Sequence, residues 1–369
     1  MSSTSRRRFR RQARAALRLA AGRLPSGRRV DRAGGLSVSG LSTSSGRGSA
    51  ALPFDGGELE SRLVWILGSP RSGSTWLLRL LIHPWILARG SPTGMRSPLS
   101  IRGRDRPNVV PVDESYLLHH LTPLRTLPDG DRQPPTQDFV VNGPRRGDPG
   151  YFFSDAYADA WAPEVRRLVL VRLHAQADRA AREHSLSDPL VLIKEPNGSQ
   201  GAELLMSVLP RSRMIFLLRD GRDVIDSMLD ARSGWVQGSM DLSDPQERLA
   251  YVRRQARLWL NNTNAVQSAY AAHPESLRRL VRYEDLRYET APTLRPVLDW
   301  LGIDRSESQL RDAVEANEFE SLPGALKGPA TPRRAASPGL WRENMTTAEQ
   351  EVMRDIIAPK LEELGYAWP

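Results

Sequence analysis

The 369-residue sequence predicts an α/β fold, a central and mainly parallel sheet flanked by helices, behind a disordered basic tail. Three observations predict it. From about residue 59, short β-rich runs alternate with helical patterns. The run RLVWIL leads straight into GSPRSGST and then a helical segment. A second unit, RMIFLLRDGRDVIDSML, repeats the order strand, tight turn, helix.

The tail comes first. Residues 1–30 hold ten arginines and no acid, so the other residues carry 42 basic side chains (52 minus 10) against 43 acidic ones. The net charge of +9 therefore belongs to the tail, and the near-neutral body is not expected to bind nucleic acid. With GLSVSGLSTSSGRGSA at 35–50, residues 1–58 read as disordered, and 59–369 as the folded domain. Within the tail, RRRFRRQARAALRLAAGRL could form a basic amphipathic helix making a weak membrane-surface contact, or a transit peptide. Otherwise it is an unstructured arm. There is no cysteine, which excludes disulfides and thiolate chemistry and fits a reducing cytoplasmic setting. No run of about 18 apolar residues could span a membrane.

In the folded part, strands are expected at 63–67, 190–194, 213–218 and 280–283. Helices are expected at 75–87, 201–209, 224–231, 245–272 and 347–364, the last opened by the capping box TTAE. Residues 91–149 read as long Pro-, Arg- and Asp-rich loops. The loops of 91–189, with Tyr151, Tyr157 and Trp161, are expected to shape an acceptor pocket, the aromatics suiting either stacking on a sugar or aryl ring or, equally, core packing.

Gly68-Ser-Pro-Arg-Ser-Gly-Ser-Thr75 has the spacing of a P-loop, G-x-x-x-x-G-K-[ST], with Ser74 where the lysine belongs. The domain is therefore expected to be P-loop-NTPase-like. A strand-to-helix glycine loop presents backbone N–H groups and the positive end of a helix dipole to an anion. Ser72, Gly73, Ser74 and Thr75 line it, and Arg71 adds a guanidinium. In the second unit, Arg219 at a strand end and Ser227 in the next helix can converge on one anion at the carboxyl edge of the sheet.

Together, GSPRSGSTWL and IFLLRDGRDVIDSML resemble the two cofactor motifs of the sulfotransferases that use 3'-phosphoadenosine 5'-phosphosulfate (PAPS). The resemblance implies that Arg71, Ser72, Gly73, Ser74 and Thr75 hold the phosphosulfate, and that Arg219 and Ser227 hold the 3'-phosphate. It places Trp76 beside the adenine and, through VRYEDL, Tyr283 as well. PRRAASPGLWRENMT resembles the late basic loop that closes over the nucleotide, with Arg334 the best match, Arg333 beside it, and Ala335 where many relatives have a second basic residue.

Transfer to a hydroxyl also needs a proton acceptor. Glu114 in PVDESYLLHHL is the first candidate and Glu195 in VLIKEPNGS the second, with Asp113, His119 and His120 nearby. The histidine that the cytosolic branch places two residues after its strand-end lysine is Pro196 here. Lys194, one of three lysines, is the candidate for stabilising the transferring group. No metal-ligand spacing occurs. The expected function is sulfuryl transfer from PAPS as co-substrate, without metal, to a carbohydrate or other small-molecule hydroxyl. The alternatives are a P-loop kinase or hydrolase, disfavoured by Ser74, and an inactive nucleotide-binding protein of the same fold.

Overall fold

Strands buried on both faces are near-continuous apolar runs, a pattern met by LVWIL, by LVLIK up to its closing lysine, and by RMIFLL after its opening arginine. The computed structural model describes residues 52, 54–87, 95–96, 107–113, 117, 147, 149–150, 153–234, 242–318 and 337–368. Its strands are β1 (Leu63–Leu67), β2 (Ile86–Leu87), β3 (Met95–Arg96), β4 (Val109–Asp113), β5 (Leu190–Lys194), β6 (Arg213–Leu218) and β7 (Arg278–Arg282). Five form one parallel sheet in the order β4-β5-β1-β6-β7, while β2 and β3 pair as a small antiparallel ribbon.

The first helices are α1 (Gly56–Ser61), whose residues 56–58 fall in the stretch expected to be disordered, and α2 (Ser74–Ile82). Then come α3 (Ala158–His184), α4 (Ala202–Val208), α5 (Gly221–Gly234), α6 (Pro245–Ala272) and α7 (Tyr283–Tyr288). The last are α8 (Thr290–Leu301), α9 (Glu307–Asn317), α10 (Trp341–Asn344) and α11 (Thr347–Glu363). A period of two divides the strands between two cores. Leu63, Trp65 and Leu67 with Val191, Ile193, Met214 and Phe216 face α3, α4 and α6. Val64, Ile66, Leu192, Ile215 and Leu217 face α2, α8 and α9. A third cluster joins α5, α6, α10 and α11 through Ile225, Trp259, Trp341 and Met353.

β1, β5 and β6 lie where the sequence places them. β7 begins at Arg278, and Tyr283 starts α7 instead of ending the strand. α2 stops at Ile82, since Pro84 cannot continue a helix. α5 starts three residues early, at Gly221. The expected loops of 91–189 contain β4 and the 27-residue α3. Of the two readings of Trp161, the structure has the core one: it is buried in α3 and donates to the Ser154 carbonyl at 2.9 Å. Tyr157 is exposed just before that helix, and Tyr151 lies outside the described residues. Among the described residues no helix is long and apolar enough to cross a membrane.

The helix behind the glycine loop is fixed at its far end by one buried side chain. Arg305 donates to the carbonyls of Leu80, Leu81 and His83 at 2.6–2.7 Å, satisfying the C-terminal acceptors of α2. Burial lowers its pKa to about 10, so it stays cationic at neutral pH. Arg305→Ala orphans these carbonyls and is expected to cost about 3 kcal/mol in urea unfolding. A loss below about 1 kcal/mol would show that the helix end is satisfied without it.

Candidate active site

All five strands of the main sheet point the same way, so their carboxyl ends, and the loops that follow, share one edge. Gly68–Thr75 follows β1, Glu195 follows β5, Arg219 follows β6 and Tyr283 follows β7. Asp113 ends β4 in register with Lys194. Glu114 comes next in sequence but lies outside the described residues, as do His119, His120, Arg333 and Arg334.

The glycine loop wraps tightly because its glycines are needed. A Cβ on Gly68 would stand 2.3 Å from the Leu217 carbonyl oxygen of β6. Gly73 adopts φ 93°, and a Cβ there would sit 2.6 Å from the Tyr283 ring. Gly73 is also the N-cap of α2 and supplies no side-chain cap to the first turn. The Ser69 and Ser72 hydroxyls are buried in the same loop without a hydrogen-bond partner. An uncapped helix start with two orphaned hydroxyls fits an anion such as the phosphosulfate end of PAPS.

The charge that position 74 lacks arrives from the neighbouring strand. Lys194, 2% exposed at the end of β5, reaches Thr75 Oγ1 with its ammonium at 2.8 Å. That contact follows from the register, which pairs Ile66 with Lys194. The Gly68 N–H donates to Ser199 Oγ at 2.9 Å, and that hydroxyl donates to the Glu195 carbonyl, tying the loops after β1 and β5 together. Glu195 is buried beside them.

The second motif closes on the first. Arg71 Nε donates to Ser227 Oγ at 3.0 Å, and Arg219 donates to the Arg71 carbonyl at 2.8 Å. Arg71 itself has φ 68°, a left-handed backbone that costs a non-glycine residue about 1–2 kcal/mol. The Arg219 guanidinium lies 4.2 Å from the Tyr283 ring centroid, and Tyr283 meets Trp76 edge-on at 5.9 Å. Trp76 is fixed by donation to the Asn317 carbonyl at 2.9 Å. Arg71, Trp76, Arg219, Ser227 and Tyr283, read as separate motifs in the sequence, thus form one continuous cluster.

Sequence reasoning missed the residues that hold this cluster. Asp223, in the first turn of α5, accepts the Gly339 N–H with both oxygens at 3.0 and 2.9 Å, and Asp226 accepts from Asn344 at 3.0 Å. These bonds hold both ends of the segment Gly339–Asn344, which includes α10, against the helix that carries Ser227. The acids were present in RDGRDVID, but their partners lie more than 100 residues away.

Burial pushes Asp223 up to about 6 from 3.8, against the opposing pull of Arg219 and the Gly339 N–H and with help from Asp220 and Glu284. An acid raised on folding binds its proton more tightly in the folded state. Its presence then lowers stability progressively as pH rises from about 4 to about 6. The upper limit of that loss is about 3 kcal/mol. Asp223→Asn cannot ionise, so the stability of the variant relative to the parent protein is expected to rise between pH 4 and pH 7 in denaturant titrations. A constant or falling difference over that window would mean that burial does not hold Asp223 up.

No curated protein matches the chain. Solved structures similar to it include a mouse sulfotransferase complexed with PAP, at 11% identity and TM-score 0.47, covering 84% of this chain and 90% of that one. The sulfotransferase domain of the olefin synthase from Synechococcus PCC 7002 is 19% identical, with TM-score 0.39 over 83% of this chain and 95% of that one. A sulfotransferase from Mycobacterium avium is 15% identical, with TM-score 0.39 over 82% and 76%. The family model described as "Sulfotransferase family" matches residues 64–307, from β1 into α9, and the chain belongs to that family.

Proposed function

We propose that the protein transfers a sulfuryl group from PAPS to a hydroxyl of a carbohydrate or other small-molecule acceptor. The observation that carries this reading is the joining of the two motifs: Arg219 bonded to the Arg71 carbonyl and Arg71 bonded to Ser227. It gathers cationic groups and an uncapped helix start at one sheet edge, beside the aromatic pair Trp76 and Tyr283. A nucleotide with phosphate on both the 3' and 5' sides of its ribose suits such a site. Its 5' end meets the glycine loop, its 3'-phosphate meets Arg219 and Ser227, and its base lies against the aromatics.

PAPS supplies an activated sulfuryl group whose bond to the 5'-phosphate oxygen breaks as the acceptor oxygen bonds to sulfur. Within this scheme Lys194 and Arg71 stabilise the charge that collects on the departing phosphate. The acceptor's proton passes to a carboxylate, for which Glu114 is the first assignment and the buried Glu195 the second. Arg333 and Arg334 are assigned to the segment that closes over the nucleotide, followed in sequence by the anchor of Gly339 on Asp223. The basic N-terminal segment is assigned the weak membrane contact.

The test combines thermal shift with turnover of radiolabelled PAPS on a metabolite extract. PAP is expected to raise the melting temperature and ATP with Mg²⁺ is not. Arg219→Ala is expected to lose most of the PAP shift, and Glu114→Gln to keep the shift while losing turnover. A shift with ATP alone would overturn the reading of the donor. Full turnover by Glu114→Gln would move the base to Glu195.

A further inference from the structure

The turn that presents Arg219 is held from behind by residues that the proposed chemistry does not use. The Asp220 N–H donates to Glu284 Oε1 at 3.0 Å, and Glu284 Oε2 accepts the Tyr366 hydroxyl at 2.9 Å. Three residues past Arg219, the buried Arg222 forks onto the Asp220 carboxylate at 2.7–3.2 Å. Its remaining nitrogen donates to the Ala367 carbonyl at 2.9 Å. The Arg222 guanidinium lies 4.6 Å from the ring of Trp341 and 5.0 Å from that of Trp368.

The segment that makes these contacts is itself anchored. After α11, Gly365 takes φ 79°, and the Tyr366 N–H returns to the Leu361 carbonyl at 2.8 Å, closing a Schellman-type turn. Arg282 packs beneath the Tyr366 ring at 4.9 Å and donates to the Leu364 carbonyl. Burial, and then the Glu284 charge, push the Tyr366 phenol upward, so its hydroxyl remains a donor. The turn Arg219–Arg222 is thus clamped on two sides, through Glu284 to Tyr366 and through Arg222 to Trp368.

We propose that Tyr366 and Trp368 are positioning residues for Arg219, and that through it they set the preference for a 3'-phosphorylated nucleotide. The inference rests on the reading of Arg219 as a ligand of the 3'-phosphate. Neither residue is assigned a contact with substrate. Each acts by holding a neighbour of Arg219, one through the Asp220 backbone and the other through the Arg222 side chain. A charged hydrogen bond depends steeply on geometry, so a small displacement of this turn weakens the 3'-phosphate contact and spares the 5' end.

Calorimetric titration with PAP and with 5'-AMP, which lacks the 3'-phosphate, reads this out as a ratio of affinities. For the unsubstituted protein PAP is expected to bind more tightly by tenfold or more, the range of one charged hydrogen bond. Trp368→Ala is expected to lower the ratio about tenfold, leaving 5'-AMP affinity unchanged, and Trp368→Phe to restore most of it. Tyr366→Phe, which removes one oxygen, is expected to lower the ratio about threefold and decides the matter should Trp368→Ala not fold. Folded variants that keep the parent ratio, or that weaken PAP and 5'-AMP alike, would overturn the inference. An unsubstituted protein that binds both nucleotides equally would instead overturn the reading of Arg219, and the inference with it.

Discussion

The site depends on one hydrogen bond, from the Arg219 guanidinium to the carbonyl of Arg71. That carbonyl points toward β6 because Arg71 adopts a left-handed backbone, a conformation that persists only where its surroundings enforce it. The bond couples the loop after β1 to the turn after β6, and Arg71 returns the coupling through Ser227. Parallel pairing makes this feasible, since β1 and β6 are adjacent and end at the same edge. A glycine at position 68 lets the loop leave β1 against the Leu217 carbonyl without a clash.

Electrostatics at this edge differ from those of a lysine-bearing P-loop. There the ammonium extends from the loop's own helix; here it comes from β5 and meets the helix at Thr75. Lys194 is buried, so its charge acts in a medium of low dielectric, where a nearby anion is bound more strongly than at a surface. Its side chain is buried and held at Thr75. An ammonium so restrained is suited to charge that develops at one fixed atom, which is what a departing phosphate presents.

How much of this was legible depended on the range of each interaction. β1, β5 and β6 are short apolar runs, and the glycine loop and Arg219 turn are local patterns, so all were readable along the chain. β4 was not: VVPVD carries Pro111, tolerated because the strand lies at the sheet edge. α3 was obscured by Pro163 and by a polarity mixed along its length, with the exposed apolar residues Leu168 and Val171 beside buried ones. Lys194 and Thr75 were each singled out, yet their contact depends on a register that no local pattern encodes. The clamp formed by Glu284, Tyr366, Arg222 and Trp368 spans up to 145 residues, and nothing in either segment alone announces it.

A single sheet edge that holds both phosphate ends of one nucleotide would be visible in a crystal structure of the complex with PAP. The 5'-phosphate is expected within hydrogen-bond distance of the Ser72–Thr75 loop. The 3'-phosphate is expected on Arg219 and Ser227, with the adenine against Trp76 or Tyr283. A nucleotide bound in the reverse orientation, or away from Arg219, would contradict this arrangement.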